Sequence, residues 1–336
     1  MAASSTFGTV LTEQMAVARW EGGGWSAAEV VPLAALSIHP AAHALHYGSS
    51  CFEGLKAHRG VDGVVRIFRL DRHIARLQQS AEVLVLPVPA VDLVAEMVVG
   101  LVRAVLPATP ESPGSLYLRP TLIGTEANIG AAGYPSSEAL LFVLASPVGD
   151  YFAGGGRPLV LDIESGRPRT GPGFGKVKTG ANYVMALGPT LRAAAKVGAD
   201  QILFAPDGRV EETGASNFLL IDGERVVTPA LTDGFLHGVT RDALLVLADD
   251  LGLQVEERTV TVDEVLDWAA RPDAEAALSG TAAVLAPVGE LVLDGRRTTV
   301  GSGKAGPHTA RLRETLTDVQ TARRPDPHGW LTPVEP

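Results

Sequence analysis

Four short segments of this 336-residue chain carry residue types that could do chemistry together. The first is Lys178-Thr-Gly-Ala-Asn182-Tyr183. A lysine there can form a Schiff base with an aldehyde and later shuttle a proton, and its small neighbours let a flat ring approach the backbone. Lys176 is an equal candidate on spacing alone. The second is Glu211-Glu212-Thr-Gly214-Ala-Ser-Asn217. A carboxylate in it can keep a pyridine nitrogen protonated and the ring electron-poor. The third, Gly238-Val239-Thr240-Arg241, opens an expected helix, where unpaired N–H groups and the helix dipole attract an anion. The fourth is Ser279-Gly280-Thr281-Ala282, which follows a short strand and offers a hydroxyl and open amides for a phosphate cup. Singly, each has a plainer explanation: a surface lysine, an acidic turn, an N-capping Thr240. Together they are the parts of a pyridoxal 5'-phosphate site.

In this order the segments resemble the fold type IV pyridoxal-phosphate enzymes and, within them, the branched-chain amino acid aminotransferases. The resemblance runs from about Arg19 to Trp330. It includes His46-Tyr47-Gly48, Phe52-Glu53-Gly54-Leu55-Lys56-Ala57, His73-Ile-Ala-Arg76-Leu77 and Leu116-Tyr117-Leu118-Arg119-Pro120. It selects Lys178, four residues before Asn182, and Glu212, five before Asn217. It implies that Arg76, Val239, Thr240 and Thr281 hold the phosphate and that Tyr183 lies near the ring oxygen. Tyr47, Tyr117, Arg119 and Ala282 are implied to shape the substrate pocket, with Arg119 pairing with the distal carboxylate of glutamate or 2-oxoglutarate. Tyr151 falls in a lid. The implied reaction is transamination between branched-chain L-amino acids and 2-oxoglutarate by a homodimer whose site a partner loop completes.

The chain also departs from the family pattern. Ala215 and Ser216 stand where threonine and methionine are familiar, and His58 stands where a phenyl or phenol is common. The Cys-x-x-Cys pair of some animal members is absent. The first two changes leave open a related enzyme for an unusual branched amino acid in a specialised pathway. A D-amino acid aminotransferase or an aminodeoxychorismate-type lyase on the same fold is a further alternative, against which Tyr117-x-Arg119 weighs. A silent binding protein would have lost Lys178 first.

The elements that must position these residues follow from length and pattern. A chain this long exceeds one ordinary core and suggests two domains. Apolar residues make up 46 % and charged residues 20 %, a globular balance. Its 28 basic and 38 acidic residues give a net charge of −10 without a basic stripe, which excludes nucleic acid and anionic membranes as expected partners. Amino acids and 2-oxo acids remain. No stretch approaches a membrane span, the N-terminus has no secretory pattern, and the lone Cys51 cannot form an internal disulfide, so a cytoplasmic enzyme is expected. Gly171-Pro-Gly-Phe-Gly-Lys176 and Gly301-Ser-Gly-Lys304 lack the Ser or Thr of a phosphate loop. His43 and His46 have no acidic or thiol company, so no metal is expected.

Strands are expected over 64–69, 116–122, 139–145, 201–205 and 217–221, and helices over 181–197, 240–251 and 309–321. Asp71 reads as the N-cap of a helix reaching 83 or 84, and Thr261-x-x-Glu264 as a capping box. The proline-rich tail after Arg324 reads as irregular. Hairpins mixed with helices indicate an α/β fold of the α+β kind rather than regular βαβ winding. The expected domains are a small N-terminal α+β domain over 1–149, a linker and lid over 150–158, and a larger cofactor-binding domain over 159–336, which the resemblance makes a pseudo-barrel.

Overall fold

The computed structural model describes residues 7–149 and 157–335. In chain order the first elements are β1 (Gln14–Glu21), β2 (Gly24–Trp25), β3 (Glu29–Pro32), α1 (His43–Tyr47), β4 (Ser50–Phe52), β5 (Leu55–Arg59), β6 (Val65–Phe68), α2 (Leu70–Val83), α3 (Val91–Ala104), β7 (Ser115–Gly124) and β8 (Ala139–Val148). Then come β9 (Leu159–Glu164), α4 (Gly180–Val197), β10 (Gln201–Phe204), β11 (Asn217–Ile221), β12 (Arg225–Pro229), α5 (Val239–Asp250), β13 (Gln254–Arg258), α6 (Val262–Ala269), β14 (Glu275–Gly280), β15 (Val284–Leu293), β16 (Arg296–Thr299), α7 (Pro307–Gln320) and β17 (Leu331–Val334). No helix among the described residues is long and apolar enough to cross a membrane.

The chain forms two compact units that do not follow chain order. The first is Met1–Tyr151 with Val177–Gly180 and Asp318–Pro336; the second is Phe152–Lys176 with Ala181–Thr317. The first unit takes in the C-terminal tail because the tail is not irregular: β17 pairs antiparallel with β6, Val334 opposite Val65. Its proline, Pro333, sits on this last strand of the sheet path, where a missing N–H costs no ladder bond.

Among the described residues, nine strands form the first unit's sheet, along the path β17-β6-β5-β7-β8-β1-β2. Its spine is β7 against β8, paired from Ser115↔Val148 to Gly124↔Ala139. Side chains alternate between faces along a strand. Leu116, Leu118 and Leu122 therefore enter the core with Leu55 and Ala57 of β5, while Tyr117 and Arg119 face the other way. Lys56 pairs with Tyr117 and so shares that second face.

Helix α2 shows two stripes. Leu70, Ile74, Leu77 and Ala81 pack into the core, and His73, Arg76 and Ser80 form a buried polar edge beside them. Both stripes follow helical spacing. The helix begins one residue before Asp71, which lies in its first turn and not at the cap. The cap position is Arg69, in left-handed conformation at φ 52°, its N–H donating to the Trp330 carbonyl at 2.8 Å and its guanidinium over the Trp330 ring. That anchor fixes the corner, so no side-chain cap is needed; Asp71 still favours the helix dipole.

The second unit's sheet contains eight strands among the described residues, along the path β10-β9-β15-β14-β11-β12-β13. It is mixed: β9 pairs parallel with both β10 and β15, whereas β14 pairs antiparallel with β11 and β15. Every residue of β11 is buried. The capping box at α6 forms on one side only. Thr261 accepts the Glu264 N–H, but the Glu264 carboxylate turns to Arg258, at 2.6 Å.

Candidate active site

The first unit gathers Lys178, Arg76, Tyr117 and Arg119. The peptide of Lys178 is held on both sides: its N–H donates to Ser80 Oγ at 3.0 Å and its carbonyl accepts the Phe52 N–H at 3.0 Å. Its ammonium lies 4.9 Å from the centre of the Phe52 ring, and the Arg119 guanidinium lies 4.7 Å from the same ring. Arg119 donates to the Tyr117 hydroxyl at 2.8 Å. That hydroxyl rests against Gly54, where any Cβ would collide with it. Each cation over the ring gains from its quadrupole. Lys176, the other candidate on spacing, pairs with Asp233 at 2.9 Å.

Arg76 lies in a buried pair. Glu53, 1 % exposed, takes its Nε at 2.6 Å and Nη2 at 2.9 Å, and accepts His73 Nδ1 at 2.7 Å. Burial opposes the charge on Glu53, and Arg76 with His73 outweighs it, holding the carboxyl well below the usual range. Burial pushes the His73 imidazole down against the pull of Glu53.

The second unit gathers the other three segments around Glu212. After β10 the chain turns at Asp207-Gly208 and returns, so that the Phe204 N–H meets the Glu212 carbonyl at 3.0 Å. The Glu212 side chain is buried. Its Oε1 accepts the Leu236 N–H at 2.8 Å and lies 2.8 Å from Arg169 Nη1, an ionic contact outside hydrogen-bond alignment. Its Oε2 accepts Asn217 Nδ2 at 3.0 Å. Glu211 is only partly buried, and that burial raises its pKa against the pull of Arg169. Arg169 also lies over the Tyr183 ring, at 5.7 Å, and within 3.3 Å of the Gly214 carbonyl.

Asn217 joins the segments. Its backbone pairs with Ser279, and its side chain donates to the Leu236 carbonyl at 2.9 Å and leaves Gly238 no room for a Cβ. Gly238 caps α5 without a side chain, so Thr240 is the second helical residue and not the cap. Gly238 therefore offers the first amides of α5 no side-chain acceptor. Ser279 is buried, and its Oγ has no hydrogen-bond partner among the described residues. Thr281 and Ala282 form the half-buried turn into β15, and the Thr213–Ser216 turn packs against Gly280.

Tyr47, on α1, is 38 % exposed and donates its hydroxyl to the Ile129 carbonyl. Tyr151 lies outside the described residues. His58 is buried on β5, where burial and the Lys56 charge push its imidazole down to about 3. His43 and His46 bond to Ser49 and the Pro40 carbonyl at 2.8 and 2.9 Å.

Sequence reasoning missed Arg169, and it missed Glu53 and Ser80 as partners of Arg76 and Lys178. Glu53 had a signal: one carboxylate between apolar strands, with His73 and Arg76 three apart on a helix. Arg169 lies in Ser165-Gly-Arg-Pro-Arg-Thr-Gly-Pro, which has no period to read.

Residues 50–291 match the family model described as amino-transferase class IV. A probable branched-chain-amino-acid aminotransferase of Streptomyces coelicolor is 41 % identical over 98 % of this chain and 92 % of its own length. A branched-chain amino acid aminotransferase of T.th., solved with pyridoxamine 5'-phosphate, superposes with a TM-score of 0.78 at 31 % identity, over 95 % of this chain and 99 % of that one. The same enzyme complexed with N-(5'-phosphopyridoxyl)-L-glutamate gives 0.76 at the same identity and coverage.

Proposed function

The chain belongs to the class IV aminotransferases and, within them, to the branched-chain-amino-acid aminotransferases of fold type IV, and from that premise we propose that it moves the amino group of L-leucine, L-isoleucine or L-valine to 2-oxoglutarate, using pyridoxal 5'-phosphate on Lys178. The observation that carries the assignment of Lys178 is its setting. Its peptide is held from both sides and its amine lies over Phe52 beside Arg119, whereas Lys176 is spent on Asp233.

The residues present fit the cofactor. Among the described residues the Ser279 hydroxyl has no partner and the Gly238 cap offers α5 no side-chain acceptor, and phosphate oxygens can accept from both. Val239, Thr240, Thr281 and Arg76 would hold that phosphate. When bound, the cofactor supplies an electron-poor ring that stabilises negative charge at the substrate Cα. Glu212 holds a proton at the ring nitrogen, and Tyr183 bonds the ring oxygen. Lys178 Nζ would take the Cα proton and return it to the cofactor carbon on the far side of the amino nitrogen. Arg119, braced by Tyr117 and Phe52, binds the distal carboxylate of glutamate and 2-oxoglutarate. Tyr47, Tyr117, Tyr151 and Ala282 shape the rest of the pocket.

The proposed assembly is a homodimer. Val184, Leu187 and Leu191 of α4 support it: three, then four residues apart, they are 68 %, 54 % and 61 % exposed, an apolar stripe that a second copy can cover. The proposed compartment is the cytoplasm, which suits the lone buried thiol Cys51. The domain assignment proposed with this function is a small domain before residue 150, a linker and lid over 150–158 and a cofactor-binding domain beyond.

The test is a panel of half-reactions, following cofactor absorbance as single L- and D-amino acids are added. Conversion by L-leucine, L-isoleucine, L-valine and L-glutamate is expected. Silence towards these with a response to D-alanine overturns the substrate assignment.

A further inference from the structure

Glu53 poses a problem for the phosphate role of Arg76. A buried carboxylate cancels the charge of the guanidinium that is to attract an anion, and burying both is costly. What the pair supplies instead is direction. A guanidinium is planar and rigid, so a carboxylate bound to one edge fixes where the remaining N–H groups point. Glu53 binds the Nε and Nη2 edge at 2.6 and 2.9 Å and is itself held by His73 at 2.7 Å. Building on the function proposed above, we propose that Glu53, steadied by His73, is a positioning residue that aims Arg76 at the cofactor phosphate.

The surrounding bonds make this arm rigid and tie it to Lys178. His73, Arg76 and Ser80 lie on one buried stripe of α2. Ser80 Oγ donates to the Arg76 carbonyl at 2.9 Å and accepts the Lys178 N–H at 3.0 Å. Phe52, the residue before Glu53, donates its N–H to the Lys178 carbonyl. The Glu53 N–H in turn donates to the Pro120 carbonyl of β7 at 2.8 Å. One connected set of bonds thus runs from the peptide of Lys178, whose amine is assigned to the cofactor aldehyde, to the guanidinium assigned to its phosphate. With its pKa lowered by burial, His73 stays neutral at neutral pH and donates Nδ1–H to Glu53 without adding charge.

The experiment compares equilibrium binding of pyridoxal 5'-phosphate and of pyridoxal, which lacks the phosphate, to the full chain stripped of cofactor. Glu53→Gln is expected to weaken pyridoxal 5'-phosphate by roughly tenfold, the factor of one charge-assisted hydrogen bond, and to change pyridoxal by less than about twofold. Equal weakening of both ligands, or of neither, overturns the proposal. Arg76→Gln is the control: if it keeps the preference for the phosphorylated ligand, the phosphate reading of Arg76 fails and the proposal with it. If Arg76→Gln loses the preference and Glu53→Gln keeps it, only the role of Glu53 fails. Should Glu53→Gln not fold, His73→Gln decides, because it keeps the ion pair and loosens Glu53. It is expected to lower the preference about threefold, and an unchanged preference overturns the proposal.

Discussion

Replacing Arg169 by methionine tests whether its guanidinium serves Glu212 or merely fills space. The two groups lie 2.8 Å apart and each is 2 % exposed. At an effective dielectric of about 20, unit charges at that distance attract by about 6 kcal/mol, from which the cost of dehydrating both must be subtracted. Removing one partner leaves the other charge buried and uncompensated, a loss of about 3–5 kcal/mol. Glu212 keeps the Leu236 amide and Asn217, which puts the expectation at the lower end, about 3 kcal/mol. The assay is urea unfolding of the cofactor-free chain for Arg169→Met, Glu212→Gln and the double variant. Because the damage comes from an unpaired carboxylate, Arg169→Met should cost far less when Glu212 is already neutral, giving a coupling of at least about 1.5 kcal/mol. Additivity within about 0.5 kcal/mol would refute the reasoning and leave Arg169 as packing.

Lys178→Ala should abolish the visible absorbance of the lysine-bound cofactor and turnover together, while Lys176→Ala keeps both; spectra and half-reaction rates of the two variants decide. Cys51, whose thiol burial pushes up to about 12, should resist a thiol reagent at pH 8 in the folded chain and react at once in denaturant, as a timed labelling assay would read. Depressed pKa values at His73 and Glu53 contribute to the acid limb of stability, and His58 adds to the histidine step. Folded His73 stays neutral and folded Glu53 stays ionised, whereas the unfolded chain takes up protons near about 6.5 and about 4.3 respectively. The unfolded state then binds more protons, so stability falls as pH drops below about 6.5 and again below about 5. Unfolding midpoints across pH 4–8 should show the upper step shrink in His73→Gln, the remainder belonging to His58, whose imidazole burial also pushes down. Gly238→Ala drives a Cβ into the Asn217 amide that supports Glu212, and should cost about 1–3 kcal/mol and weaken cofactor binding, read by unfolding and by titration.

The fold was most legible where one stretch supplied its own periodicity. The strand at β6 and the apolar face of α2 came from Val65–Phe68 and from Ile74, Leu77 and Ala81, and the Thr261 cap of α6 from a local pattern. Where a distant residue decides, the sequence misled. Asp71 has the chemistry of a cap, yet Trp330, far along the chain, holds Arg69 at the corner and starts the helix one residue early. Thr240 yields the cap position to Gly238 because Asn217 fills the space a side chain would need. The tail looked irregular because proline is frequent in it, while its pairing with β6 depends on a strand over 250 residues earlier. The candidate site divides in the same way. Lysine, carboxylate and glycine patterns marked its segments, but the buried counter-charges Glu53 and Arg169 carry no pattern of their own and emerge only when separate elements meet.

The route of the chain through the first unit bears on its biogenesis. Lys178 enters that unit through the four-residue segment Val177–Gly180, and β17 closes it from the C-terminal end. On a ribosome, α2 and β4 emerge long before Lys178 can dock on Ser80 and Phe52, and Trp330 reaches Arg69 later still. Until then β6 presents an unpaired edge, the kind of surface that chaperones recognise, although Glu53 already partners His73 and Arg76 on α2. A chain cut before β17 would keep the partners of Arg76 and Lys178, namely Glu53, Ser80 and Phe52, but would leave β6 with an open edge and Arg69 without its Trp330 anchor.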